Sequence, residues 1–300
     1  MRVFLIISSI FLAVLILLLF VRQDMYDQLY NEVERHMVNG EREIAVIVPT
    51  YNNARNRICI QNLHTILAQK YDNFHVYIID DNSSDGTADV LAEYIRSHPR
   101  ADKVTLQRNK KHLGPMANFY HPIHALDDHV IVINIDGDDW LPHENVFSFI
   151  NKIYADKNIW LTYGQYKEFP SGAIGFCRGF PKQIIQSNSY RTYQLPVSHL
   201  RTYYAWLFKK IKKEDLMYKG DFVQATCDKV LMAPMIEMCG GRFMCVQDIL
   251  YIYNTVNPIA ETRINGILQG EIRDHLFKLP AYEPLAEVIT DFAVDVKGKK

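Results

Sequence analysis

The sequence has almost no net charge: 33 lysines and arginines stand against 34 aspartates and glutamates, for a formal charge of -1. It also lacks a dense basic stripe. Lys209-Lys210 with Lys212-Lys213 and the tail at 297–300 read as solvated faces or a frayed end, which argues against a nucleic-acid partner. Its five cysteines, Cys59, Cys177, Cys227, Cys239 and Cys245, are odd in number and contain no CxxC pair. That signals neither a disulfide framework nor a zinc site, and leaves them as small buried apolar residues. No repeat or low-complexity tract appears. Only one long apolar run exists, at 3–21, broken by Ser8 and Ser9 alone; as a helix it would span about 28 Å, enough to cross a bilayer. The residues after it, Phe20-Val-Arg-Gln-Asp24, lack a small-x-small cleavage site. A single-pass membrane anchor over 1–22 is therefore expected, with a polar stem at 23–43. Its orientation is open, with Arg2 on one side and Arg22 and Arg35 on the other.

What is present is a chain of 300 residues, 48% apolar and 22% charged, which suffices for a substantial core and one domain with appendages. Its most telling stretch is the apolar run at 130–135 that ends in Asp136-Gly-Asp138-Asp139. Carboxylates this close repel one another unless a hard cation neutralises them, and such an ion keeps open positions for phosphate oxygens. The same acids would also suit a plain turn. Upstream, Ile44-Ala-Val-Ile-Val48 reads as a buried strand stopped by Pro49, and 55–69 has helical spacing. The strand at 74–79 runs into Asp80-Asp81, Asp85 can cap a helix over 87–97, a short strand follows at 104–106, and a helix at 114–126. This alternation predicts an α/β domain whose mostly parallel sheet is flanked by helices. Ligands of such sheets gather at the carboxyl ends of the strands, where the three polar clusters at 49–53, 80–85 and 136–139 would converge.

Those residues resemble the family 2 glycosyltransferases, whose nucleotide-sugar domain has the Rossmann-like GT-A fold. The resemblance runs through Val48-Pro-Thr-Tyr-Asn52, Ile79-Asp-Asp-Asn-Ser-Ser-Asp-Gly-Thr87, Asn109-Lys-Lys-His-Leu-Gly114 with Asn118, Asp136-Gly-Asp-Asp-Trp-Leu141, and Cys227-Asp228 ahead of a helix. It implies a catalytic domain at 44–266, with a nucleotide-sugar half at 44–141 and an acceptor half at 142–266, then a C-terminal extension at 267–300. The segments at 199–205 and 250–258 look like a narrower branch seen in bacteria and large DNA viruses.

The resemblance further implies a role for each matched residue. Pro49, Tyr51, Asn52 and Asp81 would cradle the nucleoside, Asp81 by accepting from uracil N3. Gly114 and Asn118 would lie beside the diphosphate or sugar. Asp136 would lie near ribose and metal, Asp138 would be the principal ligand of Mn²⁺ or Mg²⁺, and Asp139 would assist. Such an ion stabilises the charge on a departing diphosphate, while an acceptor hydroxyl needs a base to take its proton. Asp228 is the expected base, although a cysteine precedes it where the family commonly has a second acid. The Gln-x-x-Arg-Trp motif of processive synthases is missing, which implies one sugar added per encounter. The expected activity is inverting transfer from a nucleotide-sugar, UDP foremost, to a glycan, lipid or protein hydroxyl. A nucleotidyltransferase would need a glycine-rich loop after the first strand, where Thr50-Tyr-Asn-Asn-Ala54 stands instead. An inactive membrane-anchored glycan-binding or scaffold module is the remaining alternative, against which the intact acids speak.

Overall fold

The computed structural model describes residues 40–193, 195–258 and 266–286. In chain order the elements are β1 (Ile44–Thr50), α1 (Ile58–Leu67), β2 (Phe74–Asp80), α2 (Thr87–Ser97), β3 (Val104–Arg108), α3 (Pro115–Ala125), β4 (Ile131–Asn134) and α4 (Val146–Ile153). There follow β5 (Leu161–Phe169), α5 (Lys182–Gln186), β6 (Arg201–Tyr204), α6 (Ala205–Lys209), β7 (Met217–Tyr218), β8 (Asp221–Phe222), α7 (Cys227–Cys239), β9 (Phe243–Asn254) and α8 (Gly266–Leu276).

Seven strands form one sheet in the order β3-β2-β1-β4-β6-β5-β9. The pairings of β1 with β2 and β4, of β2 with β3, and of β5 with β9 are parallel, whereas β6 is antiparallel to both β4 and β5. One strand thus runs against the other six, and its first residue, Arg201, pairs with Asn134 at the end of β4. This delivers the start of β6 to the edge where the other strands finish.

Apolar runs explain the central strands. Ile44, Val46, Ile47, Ile131, Val132 and Ile133 are all fully buried, as befits strands covered on both faces. β1 continues one residue past Pro49, the expected stop. Pro49 pairs in register with Ile79, while the ladder to β4 ends at Ile47 and Asn134 with Ile135 N–H donating to Ile47. The missing proline N–H falls where that ladder is already over. The first helix begins later than its spacing predicts, at Ile58, because Asn56 and Arg57 hold left-handed dihedrals (φ 54° and 56°) that a continuous helix cannot contain.

α7 is buried on every side, with eleven of its thirteen residues inside, the pattern of an inner helix. Its Glu237 is fully buried and receives Arg191 through two bonds of 2.6 and 2.9 Å. The same guanidinium donates to the Leu276 and Leu279 carbonyls (2.8 and 2.9 Å), and Tyr282 N–H donates to Glu237. The chain after α8 is thereby fastened to α7.

No helix among the described residues is long and apolar enough to cross a membrane. The longest, α7, has 13 residues and rises about 20 Å, short of the roughly 30 Å a bilayer core demands. The expected membrane localisation is corrected accordingly. The anchor at 3–21 and the stem from 23 to 39, on which it rested, lie outside the described residues.

Candidate active site

A cavity of about 790 Å³ opens at the carboxyl ends of the strands, a size suited to a substantial ligand. Seven of the residues expected from the sequence line it: Pro49, Tyr51, Asp81, Asn118, Asp136, Asp138 and Asp228. Asn52, Gly114 and Asp139 stand behind its wall.

The nucleoside side is built from turns after β1 and β2. Asn52, at φ 52°, stitches them together: its N–H donates to Ser83 Oγ and its Oδ1 accepts from Ser84 N–H, both at 2.9 Å. Asp85 stands one residue ahead of Gly86, the N-cap of α2, and accepts from Thr87 N–H (3.0 Å) and from Ala54 N–H (2.9 Å). Asp81 is buried and organises the loop at 109–114. Its Oδ1 accepts from Leu113 N–H and Asn109 Nδ2, its Oδ2 from Gly114 N–H, all at 2.8 Å, and His112 Nδ1 lies 3.0 Å from that second oxygen. Both lone pairs of Oδ1 are thus engaged within the chain. Asn118 Oδ1 takes the other Asn109 amide hydrogen (2.8 Å). The half-exposed Tyr51 ring stands 4.6 Å from His112, and these two rings form an open edge where a base could lie. Gly114 holds φ +85°, which side-chain-bearing residues rarely adopt, and the Gln224 amide lies where a Cβ would stand.

After β4 the three acids diverge. Gly137 lets their turn approach β1, since a Cβ there would come within 2.7 Å of the Pro49 carbonyl oxygen. Asp139 is fully buried: Oδ1 accepts from Asn254 N–H (2.7 Å) and Oδ2 from Tyr251 Oη (2.8 Å). Tyr251 Oη in turn accepts from Asp136 N–H (3.1 Å). Burial, then Asp138 and Asp136, hold the Asp139 carboxyl well above the usual range. Asp138 faces the cavity, with Oδ2 accepting from Asn257 Nδ2 (2.7 Å), and burial pushes its pKa up to about 6. Asp136 also faces the cavity; burial raises its pKa, Arg201 opposes the rise, and Asp228 adds to it.

Across the cavity, Asp228 sits in the first turn of α7. Two residues that carried no role in the sequence reading lie between the acids. His199 stacks on Tyr251 (4.3 Å between centroids, 9° between planes) and directs Nδ1 toward Asp136 Oδ2 at 3.9 Å. Burial, then Arg201, keeps it well below its usual pKa, hence neutral. Arg201 reaches Asp136 at 3.4 Å and Asp228 at 3.9 Å. His199 Nδ1 and Arg201 Nε are both buried without a hydrogen-bond partner. His199 lies ahead of β6, which begins at Arg201, so strand alternation gives no signal for the pair.

An oxygen each from Asp136 and Asp139 and a ring nitrogen of His199 lie within 4.8 Å of one another. Each Asp139 oxygen accepts one hydrogen bond and keeps a lone pair, so Asp136, Asp139 and His199 can hold an ion together, while Asp138 faces the same cavity from outside this close group. A set of carboxylates with one imidazole fits a divalent ion such as Mn²⁺ or Mg²⁺.

The chain is similar to known proteins in sequence and in fold. Over 73 residues the chain is 37% identical to a putative teichuronic acid biosynthesis glycosyltransferase, TuaG, of Bacillus subtilis, covering 24% of this chain and 28% of that protein. S. aureus TarS 1-349 in complex with UDP-GlcNAc superposes with a TM-score of 0.53 at 17% identity, over 72% of this chain and 59% of that one. The mannosyltransferase PcManGT from Pyrobaculum calidifontis, in complex with GDP-Man and Mn²⁺, does so with 0.52 at 20% identity, over 78% and 65%. The chain therefore spans less than a third of the first relative and under two thirds of either structure. These relatives are bacterial and archaeal and lend no support to the narrower viral branch. The two structures establish a shared GT-A-like α/β fold, and the model of the glycosyl transferase family 2 matches residues 45–211, more than half of the chain, so the protein belongs to that family.

Proposed function

We propose that this protein moves one sugar from a nucleoside diphosphate donor, UDP-linked foremost, to an acceptor hydroxyl on a glycan, lipid or protein, with inversion at the anomeric carbon. The observation that carries this reading is the meeting of Asp136 and Asp228 on either side of one guanidinium, in a cavity that Asp138 also lines and that is walled by the turns of three strands. The nucleotide-sugars named with TarS and PcManGT, and the Mn²⁺ named with the latter, support the donor class and the need for an ion.

In this reading the base lies against Tyr51 and His112, above the loop that Asp81 shapes. Asp136 and Asp138, with Asp139 and His199, would hold Mn²⁺ or Mg²⁺, which when bound supplies Lewis-acid stabilisation to the diphosphate leaving group. Asp139 holds the turn to β9 through Tyr251 and Asn254. Asp228 accepts the proton of the acceptor hydroxyl as its oxygen bonds to the anomeric carbon and the bond to the diphosphate oxygen breaks. One displacement from the face opposite the leaving group inverts the centre.

Incubating the purified full-length chain with a panel of nucleotide-sugars and Mn²⁺ or Mg²⁺ tests this. Release of the nucleoside diphosphate, stopped by a chelator, is expected. Failure to bind or turn over any donor with either ion would sink the reading.

A further inference from the structure

Two buried arginines in this chain are held in opposite ways. Arg191 has the fit of a structural guanidinium, with two bonds to Glu237 below 3 Å and two carbonyls besides. Arg201 is as deeply buried, at 4% exposure, yet its carboxylate contacts are 3.4 and 3.9 Å long and its Nε has no partner. Charge-assisted bonds are ordinarily about 2.7–2.9 Å. A desolvated guanidinium held this loosely is a poor stabiliser, because the cost of removing it from water is not offset by short bonds. Its location makes another use plain. β6 alone among the seven strands enters the site by its first residue, and that residue stands between an acid of the β4 turn and the acid at the head of α7.

We propose that Arg201 is a positioning residue that sets the Asp228 carboxylate against the donor held beside Asp136, an assignment that rests on the transfer reading above. Asp136 and Asp228 come from separate elements and repel each other. A guanidinium has two arms in a fixed plane, so one arm on each acid fixes their separation as well as screening their charge. The Asp228 side chain is 37% exposed and without that arm is free to turn toward solvent, away from the acceptor.

The test uses Arg201→Ala and Arg201→Lys in the full-length chain, reading transfer kcat, donor KM, Mn²⁺-dependent UDP affinity by calorimetry, and Tm. For the alanine variant kcat is expected to fall about 100-fold, the scale of a misplaced reacting group. UDP affinity should hold or tighten, since a cation beside Asp136 is gone. The lysine variant, which keeps the charge and loses the fork, should recover part of kcat, and it carries the test if the alanine variant does not fold. Added guanidinium should restore part of the alanine variant's rate. A joint fall of Tm, UDP affinity and kcat would mark Arg201 as merely structural and overturn the assignment, as would an unchanged kcat. A wild-type chain that uses no donor would instead overturn the transfer reading, and this assignment with it.

Discussion

The two walls of the cavity are bonded differently. On the nucleoside wall, Asp81, Asn52 and Asp85 spend their oxygens on backbone N–H groups of neighbouring turns. On the opposite wall, His199 and Arg201 are buried with a nitrogen each left over, and Asp228 has only a long contact to a guanidinium. The first wall is largely finished by folding, with the buried and unpartnered Asp80 Oδ1 its exception; the second is left open, for a substrate to complete in the transfer reading. A substitution on the nucleoside wall should therefore be felt as stability, and one on the opposite wall as rate.

The strongest test of that contrast is Asp228→Asn. Loss of the base should lower transfer about 10³-fold, within the usual range for general bases, with UDP affinity and Tm nearly unchanged; a clear loss of Tm would break the comparison. Next is Asp138→Asn, expected to weaken Mn²⁺-dependent UDP binding about 100-fold while leaving metal-free binding alone; equal affinities in calorimetry would remove Asp138 from the ion. On the finished wall, Asp81→Asn exchanges an all-acceptor carboxylate for an amide that must present hydrogens to the donors at 113 and 114. About 2–3 kcal/mol of stability should go, a drop of roughly 6 °C in Tm for a domain of this size, and an unchanged melting curve would contradict the account of that wall.

The smallest effect expected is on pH dependence. Burial raises the pKa of Asp138 from 3.8 to about 6, so its protonated form is favoured by folding. That contribution to stability is complete below 3.8 and lost as pH rises through about 6. An ion needs the ionised form, so Mn²⁺ should raise Tm more at pH 7 than at pH 5. Equal shifts at the two values would place the ion elsewhere.

Much of the first wall was legible because its signals are local. Continuous apolar runs became β1, β2 and β4, and the acids after them had to share an edge once the strands were parallel. Of the aromatic residues in the second half, Tyr203, Tyr204, Trp206 and Tyr251 are buried in the core, whereas Tyr253 lines the cavity. The second wall depends on pairings that no short stretch announces. β6 has four residues, and nothing in them declares that it runs backwards, so Arg201 and His199 went without a role. The resemblance ranks Asp138 ahead of Asp139, but only the register of β9, which brings Tyr251 and Asn254 to Asp139, shows one carboxylate buried in the scaffold and two, Asp136 and Asp138, facing the cavity.

The fastening of residues 276–282 to Glu237 limits how this chain can be shortened. A protein trimmed ahead of Leu276 would strip Arg191 of two carbonyl acceptors and Glu237 of the Tyr282 amide, exposing an ion pair designed for a dry interior at the far end of the helix that carries Asp228. Anyone shortening the protein for crystallisation or expression would do best to cut beyond Tyr282, and homologues that end earlier would be expected to carry apolar residues at 191 and 237.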